Sequence, residues 1–439
     1  MLHQASAMGA THDSDERYPP PKCHPETRKA VLDTILKWVD GRNSGILSLY
    51  GPAGAGKSAI AQTIAEYCAK ERRLGASFFF SRGKMGRSDA ARVFPTIAYQ
   101  LAISVPETRT FIERIVEDDP SIINKSRDIQ LQKLIIEPHQ AITPSESLNL
   151  PKVIIIDGLD ECEEVSVQQH ILSLLGHALA DHQLPLRLFI TSRPEPHIRD
   201  TFDRFVPQYI CHHITLDNSF LPDKDIYTFL RSGFTDIHDS HHHTMASILK
   251  PWPSEAAIDF LVQKSSGQFI YASTVLKFID DGDCRPPEQL KIVMGITGSN
   301  STAFTALDHL YHQILSTNSD TNRLLLILGI IITLHHPLSV HHIECLLSLK
   351  DGDVRLGLRR LHSLLDIPDP NPSSVHLPIR LHHASFSDFL TDPVRSGQFF
   401  IQTTTHHTHL TCLCLRTLKE WASALSTGVA TEWYADNFS

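Results

Sequence analysis

Cysteine is scarce in this chain: eight among 439 residues, with no Cys-x-x-Cys pair. Cys412 and Cys414, one residue apart, have no matching pair elsewhere. That usage is too sparse for a disulfide scaffold and points to a reducing, cytoplasmic compartment. Long apolar runs are also missing. The longest, Leu324 to Leu334, is interrupted only by Thr333. A bilayer-spanning helix needs about 20 apolar residues, so no membrane span is expected and the run reads as a buried helix. The first 22 residues carry Asp13, Asp15, Glu16 and Arg17 and lack the apolar core of a signal peptide. Positive charge is not in excess either: 40 Lys+Arg stand against 49 Asp+Glu, a net charge of -9. That balance gives no overall drive toward nucleic acid or acidic membranes, and no nucleic-acid partner is expected. What remains is ordinary globular composition, 41% hydrophobic and 20% charged, long enough for one to three domains.

Along the chain, residues 1–22 read as a flexible lead-in ending in Pro19, Pro20 and Pro21. Val31, Ile35, Trp38 and Val39 recur at helical spacing within 26–39. Ile46 to Tyr50 is a strand candidate, followed by Gly51 to Ser58 and a helix with Ile60, Ile64 and Tyr67 on one face. Ala76 to Phe80, Val153 to Asp157 after Pro151, Leu186 to Thr191 and Cys211 to Leu216 are further strand candidates. Helices with Phe94, Ile97 and Leu101, helical pieces over 107–140, and a helix over 168–178 lie between them. Alternating strands and helices predict an α/β fold, a mostly parallel sheet covered on both faces.

After residue 216 the pattern becomes helical. Residues 223–280 read as helices, with Pro286 and Pro287 in a linker. Helices follow at 304–315, 324–334 and 355–365. A further helix over 340–349 has Ser339 as N-cap. Val375, Leu377, Ile379 and Leu381 then alternate as one face of an edge strand containing Pro378. That order suits a winged-helix domain. The expected divisions are 1–22, an α/β domain over 23–216, a helical domain over 217–300, a winged-helix domain over 301–400, and the start of a helical region over 401–439.

The segment Gly51-Pro52-Ala53-Gly54-Ala55-Gly56-Lys57-Ser58 fits the Walker A spacing G-x-x-x-x-G-K-S. Its glycines let successive N–H groups turn toward phosphate oxygens. The helix behind it presents its positive end to the same anion. Lys57 is placed for the β- and γ-phosphates and Ser58 for Mg2+. The apolar strand ending in Asp157 has the Walker B pattern, with Asp157 serving Mg2+. The 100-residue gap from Lys57 leaves room for another strand between them. Gly158 stands where many vigorous P-loop ATPases place a glutamate, directly after the Mg2+ aspartate. Asp160 and Glu161 are the acidic groups left to orient a water, so slow hydrolysis is expected. Arg193, at the end of Leu188 to Pro194, is placed to report a γ-phosphate.

Histidine is abundant, at 27 residues. His241-His242-His243 and the pairs His335-His336, His341-His342 and His406-His407 read as surface or lightly packed residues without partners at ligand spacing. The pair His382-His383, after the expected strand, is the exception: either histidine is a candidate to contact nucleotide.

Taken together, GPAGAGKSAIAQTIAE, IIIDGLDEC and FITSRPEPHI resemble the NACHT class of signalling P-loop NTPases. More narrowly they resemble fungal NOD-like receptor proteins and the nephrocystin-3-type nucleotide domain. FPTIAYQLA at 94–102, SSGQFIYAS at 265–273, LDHLYHQIL at 307–315 and LHHASFSDFLTDPVRS at 381–396 extend the resemblance over about 23–430. The resemblance implies an ADP/ATP switch with sluggish ATPase activity that forms homo-oligomers in the ATP state. It implies phosphate and Mg2+ binding by Gly51, Gly56, Lys57 and Ser58, Mg2+ service by Asp157, an extra acidic pair at Asp160 and Glu161, and a sensor at Arg193. It also implies that His382 or His383 touches the ADP β-phosphate. Gln268 departs from the small or apolar residue usual at its place. Such proteins add effector and repeat domains, and neither is visible here, so a short switch or a fragment is expected, with possible protein partners through its C-terminal region. The competing readings are a catalytically weak nucleotide-binding scaffold and a conventional P-loop ATPase or kinase.

Overall fold

In this computed structural model, residues 42–43, 83, 143–152, 182–183, 296–302, 317, 319, 335, 362, 369–375 and 427–439 are not described, nor are the side chains of 218, 303–306, 417 and 420–426. Pro151, His335, Val375 and the final Asn437-Phe438-Ser439 therefore lie outside the described residues. The chain divides into two compact units, residues 1–225 and 226–439.

The first unit is built on a five-stranded parallel sheet: β1 (Gly45–Tyr50), β2 (Leu74–Phe79), β3 (Val153–Asp157), β4 (Arg187–Ser192) and β5 (Cys211–Thr215), in the order β2-β3-β4-β1-β5. The apolar runs become strands because both faces are covered, and β1 to β4 are buried along their whole length. One face packs on Phe94, Ile97, Leu101, Ile171 and Leu175. The other packs on Val31, Ile35, Ile60 and Ile64. The strand between the Walker A strand and the acidic strand is β4, which follows both in the chain, whereas β2, from the sequence gap between them, lies at the sheet edge.

The expected lead-in is packed rather than loose. Residues 2–17 form short helical turns, Ala10 is fully buried and Ala7 nearly so. Arg17 lays its guanidinium 3.5 Å from the centre of the Phe79 ring and donates to Gln62 Oε1 at 2.6 Å. A short stretch with few apolar residues gives no hydrophobic pattern, so the packing rests on long-range polar contacts that spacing does not reveal.

The second unit is mainly helical. Tyr311, Phe386 and Phe389 meet in its core. The apolar run forms the helix Thr321–Thr333, with Leu324, Ile327 and Leu328 fully buried, and no described helix is long and apolar enough to cross a membrane. Ser339 caps the helix Val340–Leu347, accepting from the His342 N–H. Two expectations fail. Pro286 and Pro287 open the helix Pro286–Met294 rather than forming a linker, because proline suits the first helical turn, where an N–H would lack a partner. The expected strand shrinks to β7 (Arg380–Leu381), antiparallel to β6 (Leu365–Asp366), with one bridge from Pro378 to Ser339. Leu377 is 50% exposed and Ile379 1%, so the alternating face does not form. Proline offers no N–H to continue a ladder.

Candidate functional site

The carboxyl ends of β1, β3 and β4 bring together Gly51 to Ser58, Asp157 and Arg193. Ligands of open parallel sheets bind at such ends. Gly54 and Gly56 take positive φ of 77° and 90°, a conformation glycine adopts without steric cost. A Cβ on Gly56 would meet nothing within 4 Å, so backbone geometry, not crowding, calls for glycine there and the space beside it is open. Gly56 is also the N-cap of the helix Lys57–Lys70, and no side chain caps that helix. Its first N–H groups have no intrahelical partner, which is the ready-made anion site of a helix start.

Lys57 donates from Nζ to the Gly51 carbonyl at 2.8 Å and the Pro52 carbonyl at 3.0 Å. Burial lowers its pKa, and Asp160 and Asp157 oppose that shift. Asp157 is 3% exposed. Its Oδ1 accepts from Thr191 Oγ1 at 2.5 Å, and Ser58 is hydrogen-bonded to the same carboxyl. Thr191 Oγ1 in turn accepts from the Gly158 N–H at 3.0 Å. Burial raises the Asp157 pKa against those hydrogen bonds and the charges of Arg17 and Lys57.

Gly158 turns the chain at φ 69° into a short helical turn, Leu159–Glu161. Asp160 Oδ1 accepts from the Arg193 N–H at 2.9 Å, and its Oδ2 lies 3.2 Å from Arg193 Nε. The pair is largely buried: the Asp160 side chain is 5% exposed and that of Arg193 21%. Glu161 accepts from the Arg82 N–H at 3.1 Å, and burial, reinforced by Asp160, pushes its carboxyl up to about 7. The residues fit a nucleotide with Mg2+. Open space lies beside Gly56 at an uncapped helix start, and Ser58 and Asp157 supply the hard oxygen donors that Mg2+ takes.

Sequence reasoning omits Arg17, Arg28 and Thr191. Arg28 donates to the Ala55 carbonyl inside the loop at 2.6 Å. Thr191 was legible as the residue two before Arg193; the two arginines carried no spacing signal. His382 and His383 lie in the second unit. His383 Nδ1 accepts from the Ser385 N–H at 3.0 Å as the N-cap of the helix Ala384–Leu390, whereas the His382 side chain is exposed. Gln268 is buried, 4% exposed, at the start of the helix Phe269–Ile279. Of the other histidines, His241 pairs with Asp280 at 2.9 Å. His341 has neighbours at ligand spacing after all: Glu344 three residues on and Cys345 four residues on.

Residues 27–193, less than half of the chain, match the family model described as Nephrocystin 3, N-terminal. No curated protein matches the chain. Among solved structures, a signal transduction ATPase with numerous domains, bearing a tetratricopeptide repeat sensor, from Pyrococcus horikoshii is 15% identical with a TM-score of 0.44. The match takes in 92% of this chain and 46% of that one, so this chain spans less than half its length. Cdc6p of Pyrobaculum aerophilum is 14% identical over 93% of this chain and 98% of that one, with a TM-score of 0.38. The ORC2 protein of Aeropyrum pernix is 12% identical over 94% and 100%, with a TM-score of 0.34. Segment 27–193 is thus related to the nephrocystin 3 N-terminal family, within a parallel-sheet α/β fold of P-loop NTPase type.

Proposed function

We propose that this chain is a catalytically weak nucleotide-binding protein that takes ATP or ADP with Mg2+. The observation that carries the reading is the convergence of the glycine loop, Asp157 and Arg193 at three adjacent strand ends. Gly51 to Ser58 hold the phosphates and Lys57 exchanges its two carbonyl partners for phosphate oxygens. Ser58 and Asp157 hold Mg2+, which supplies charge neutralisation at the phosphates. Weak turnover follows from the acidic groups. Gly158 has no side chain to activate water, and Asp160 is committed to Arg193. Glu161, with its carboxyl near 7, is the remaining general base. The test is to identify the nucleotide that co-purifies and to measure single-turnover hydrolysis. Bound ADP and slow turnover are expected. An empty protein turning over on the order of 10 s⁻¹, the rate of an ordinary metabolic enzyme, overturns the reading.

A second reading, a signalling switch of the NACHT type, is favoured by the Asp160–Arg193 pair. A switch needs a contact that differs between its states, and Arg193 can trade Asp160 for a γ-phosphate. On this reading 217–300 and 301–400 are helical and winged-helix domains. His382 or His383 reads the β-phosphate. Light scattering with a non-hydrolysable ATP analogue should then give oligomers and ADP a monomer, with His382→Ala or His383→Ala assembling in ADP. A monomer with both nucleotides refutes the switch and leaves the nucleotide-binding reading standing.

A further inference from the structure

Away from the strand ends, one cluster joins unlike donor side chains. The helix Val340–Leu347 carries His341 and Glu344, three residues apart and so on one helix face. Beyond it the chain reverses through Ser348 at φ 54° and Gly352 at φ 88° and returns Asp351 to the same place. One ligand-type atom from each of His341, Glu344 and Asp351 lies within 4.8 Å of the other two. Cys345, four residues after His341, sets its sulfur 3.5 Å from His341 Nε2.

The cluster is built, not merely crowded. Glu344 is 4% exposed. Its Oε1 accepts from the N–H groups of Gly352 and Val354, both at 3.0 Å. Those bonds orient the carboxylate and pin the loop that carries Asp351. Burial raises the Glu344 carboxyl, and the charge of Asp351 pushes the same way. An imidazole nitrogen with two carboxylates suits zinc and its neighbours in the transition series, whereas Mg2+ and Ca2+ take oxygen alone.

We propose that His341, Glu344 and Asp351 form a binding site for a divalent transition metal of the zinc type. Ligand bonds of about 2.0–2.2 Å would bring the three atoms around one ion, and the exposed Asp351 side chain is the one that can adjust to it. Bound metal ties the helix Val340–Leu347 to the loop before the helix Asp353–Leu358, adding a cross-link to the second unit. The site is separate from the proposed Mg2+ position, which uses hard oxygen donors alone.

The test is a zinc titration of the full chain in millimolar Mg2+, read against a chromophoric chelator. Zinc-dependent thermal stabilisation is the second readout. One tight zinc per chain is expected, weakened at least tenfold by His341→Ala and by Asp351→Asn. The same two variants should lose most of the thermal stabilisation by zinc, with their circular dichroism unchanged. A His242→Ala/His243→Ala double variant, which removes an exposed pair, should bind as the parent does. Equal zinc affinity in the parent, H341A and D351N overturns the proposal, as does a parent chain with no tight zinc. Should either variant lose its fold, retention of tight zinc by the other overturns it equally.

Discussion

Lys57, Asp157, Asp160 and Arg193 carry opposite charges in a mostly buried space, and removal of one partner affects the rest. Lys57→Ala removes the cation proposed to face phosphate. A hydrogen bond to a charged group contributes about 1.5–3 kcal/mol, so ADP affinity should fall by roughly tenfold to a hundredfold or more in calorimetry. Asp160→Asn removes the carboxylate charge that pairs with Arg193. Breaking a buried pair costs about 3–5 kcal/mol. Because Arg193 keeps some solvent contact, the lower end is expected in urea unfolding, with a smaller loss for the double variant Asp160→Asn/Arg193→Met. Glu161 gives a pH signature. Its carboxyl is raised from 4.5 to about 7 in the folded chain, so the native state holds the proton more tightly. The stability it contributes is full below 4.5 and is lost as pH rises through about 7. In nucleotide-free protein the slope should not exceed about 1.4 kcal/mol per pH unit for this one group, and Glu161→Gln should remove that share of it.

At the scale of elements, the loop and the amino-terminal turns are the informative pieces. Gly56→Ala forces a side chain into φ 90°, which costs about 1–2 kcal/mol and shifts the N–H groups of the Lys57–Lys70 helix start. Nucleotide binding should fall more than folding stability does, as thermal shifts with and without ADP would record. The amino-terminal turns bring Arg17 onto Phe79 and Gln62. Arg17→Ala should lower stability by about 2–4 kcal/mol, measured by denaturant unfolding, whereas a flexible lead-in would show no change. The strand elements were legible because β-branched runs bounded by glycine, proline and charge have one good solution in a doubly covered sheet. The packing of residues 1–17 was not, since it depends on partners such as Gln62 and Thr96, 45 to 89 residues away.

At the scale of the molecule, the two units have separate apolar cores. Phe389→Ala empties space beside Tyr311 and Phe386, a change that costs about 3–5 kcal/mol. It should destabilise the second unit, while Mg2+ and ADP still protect the amides of 51–60 in hydrogen exchange. The sequence alone determined the strands, the glycine loop, the acidic strand end and their order, because each is written in local spacing and side-chain chemistry. Only the tertiary structure decided that β4 separates β1 from β3, that Asp160 holds Arg193, that Arg17 packs on Phe79 and Arg28 donates to the Ala55 carbonyl, and that Asp351 returns to His341 and Glu344. Those facts depend on which distant segments share a surface, and residue periodicity along a chain does not encode that.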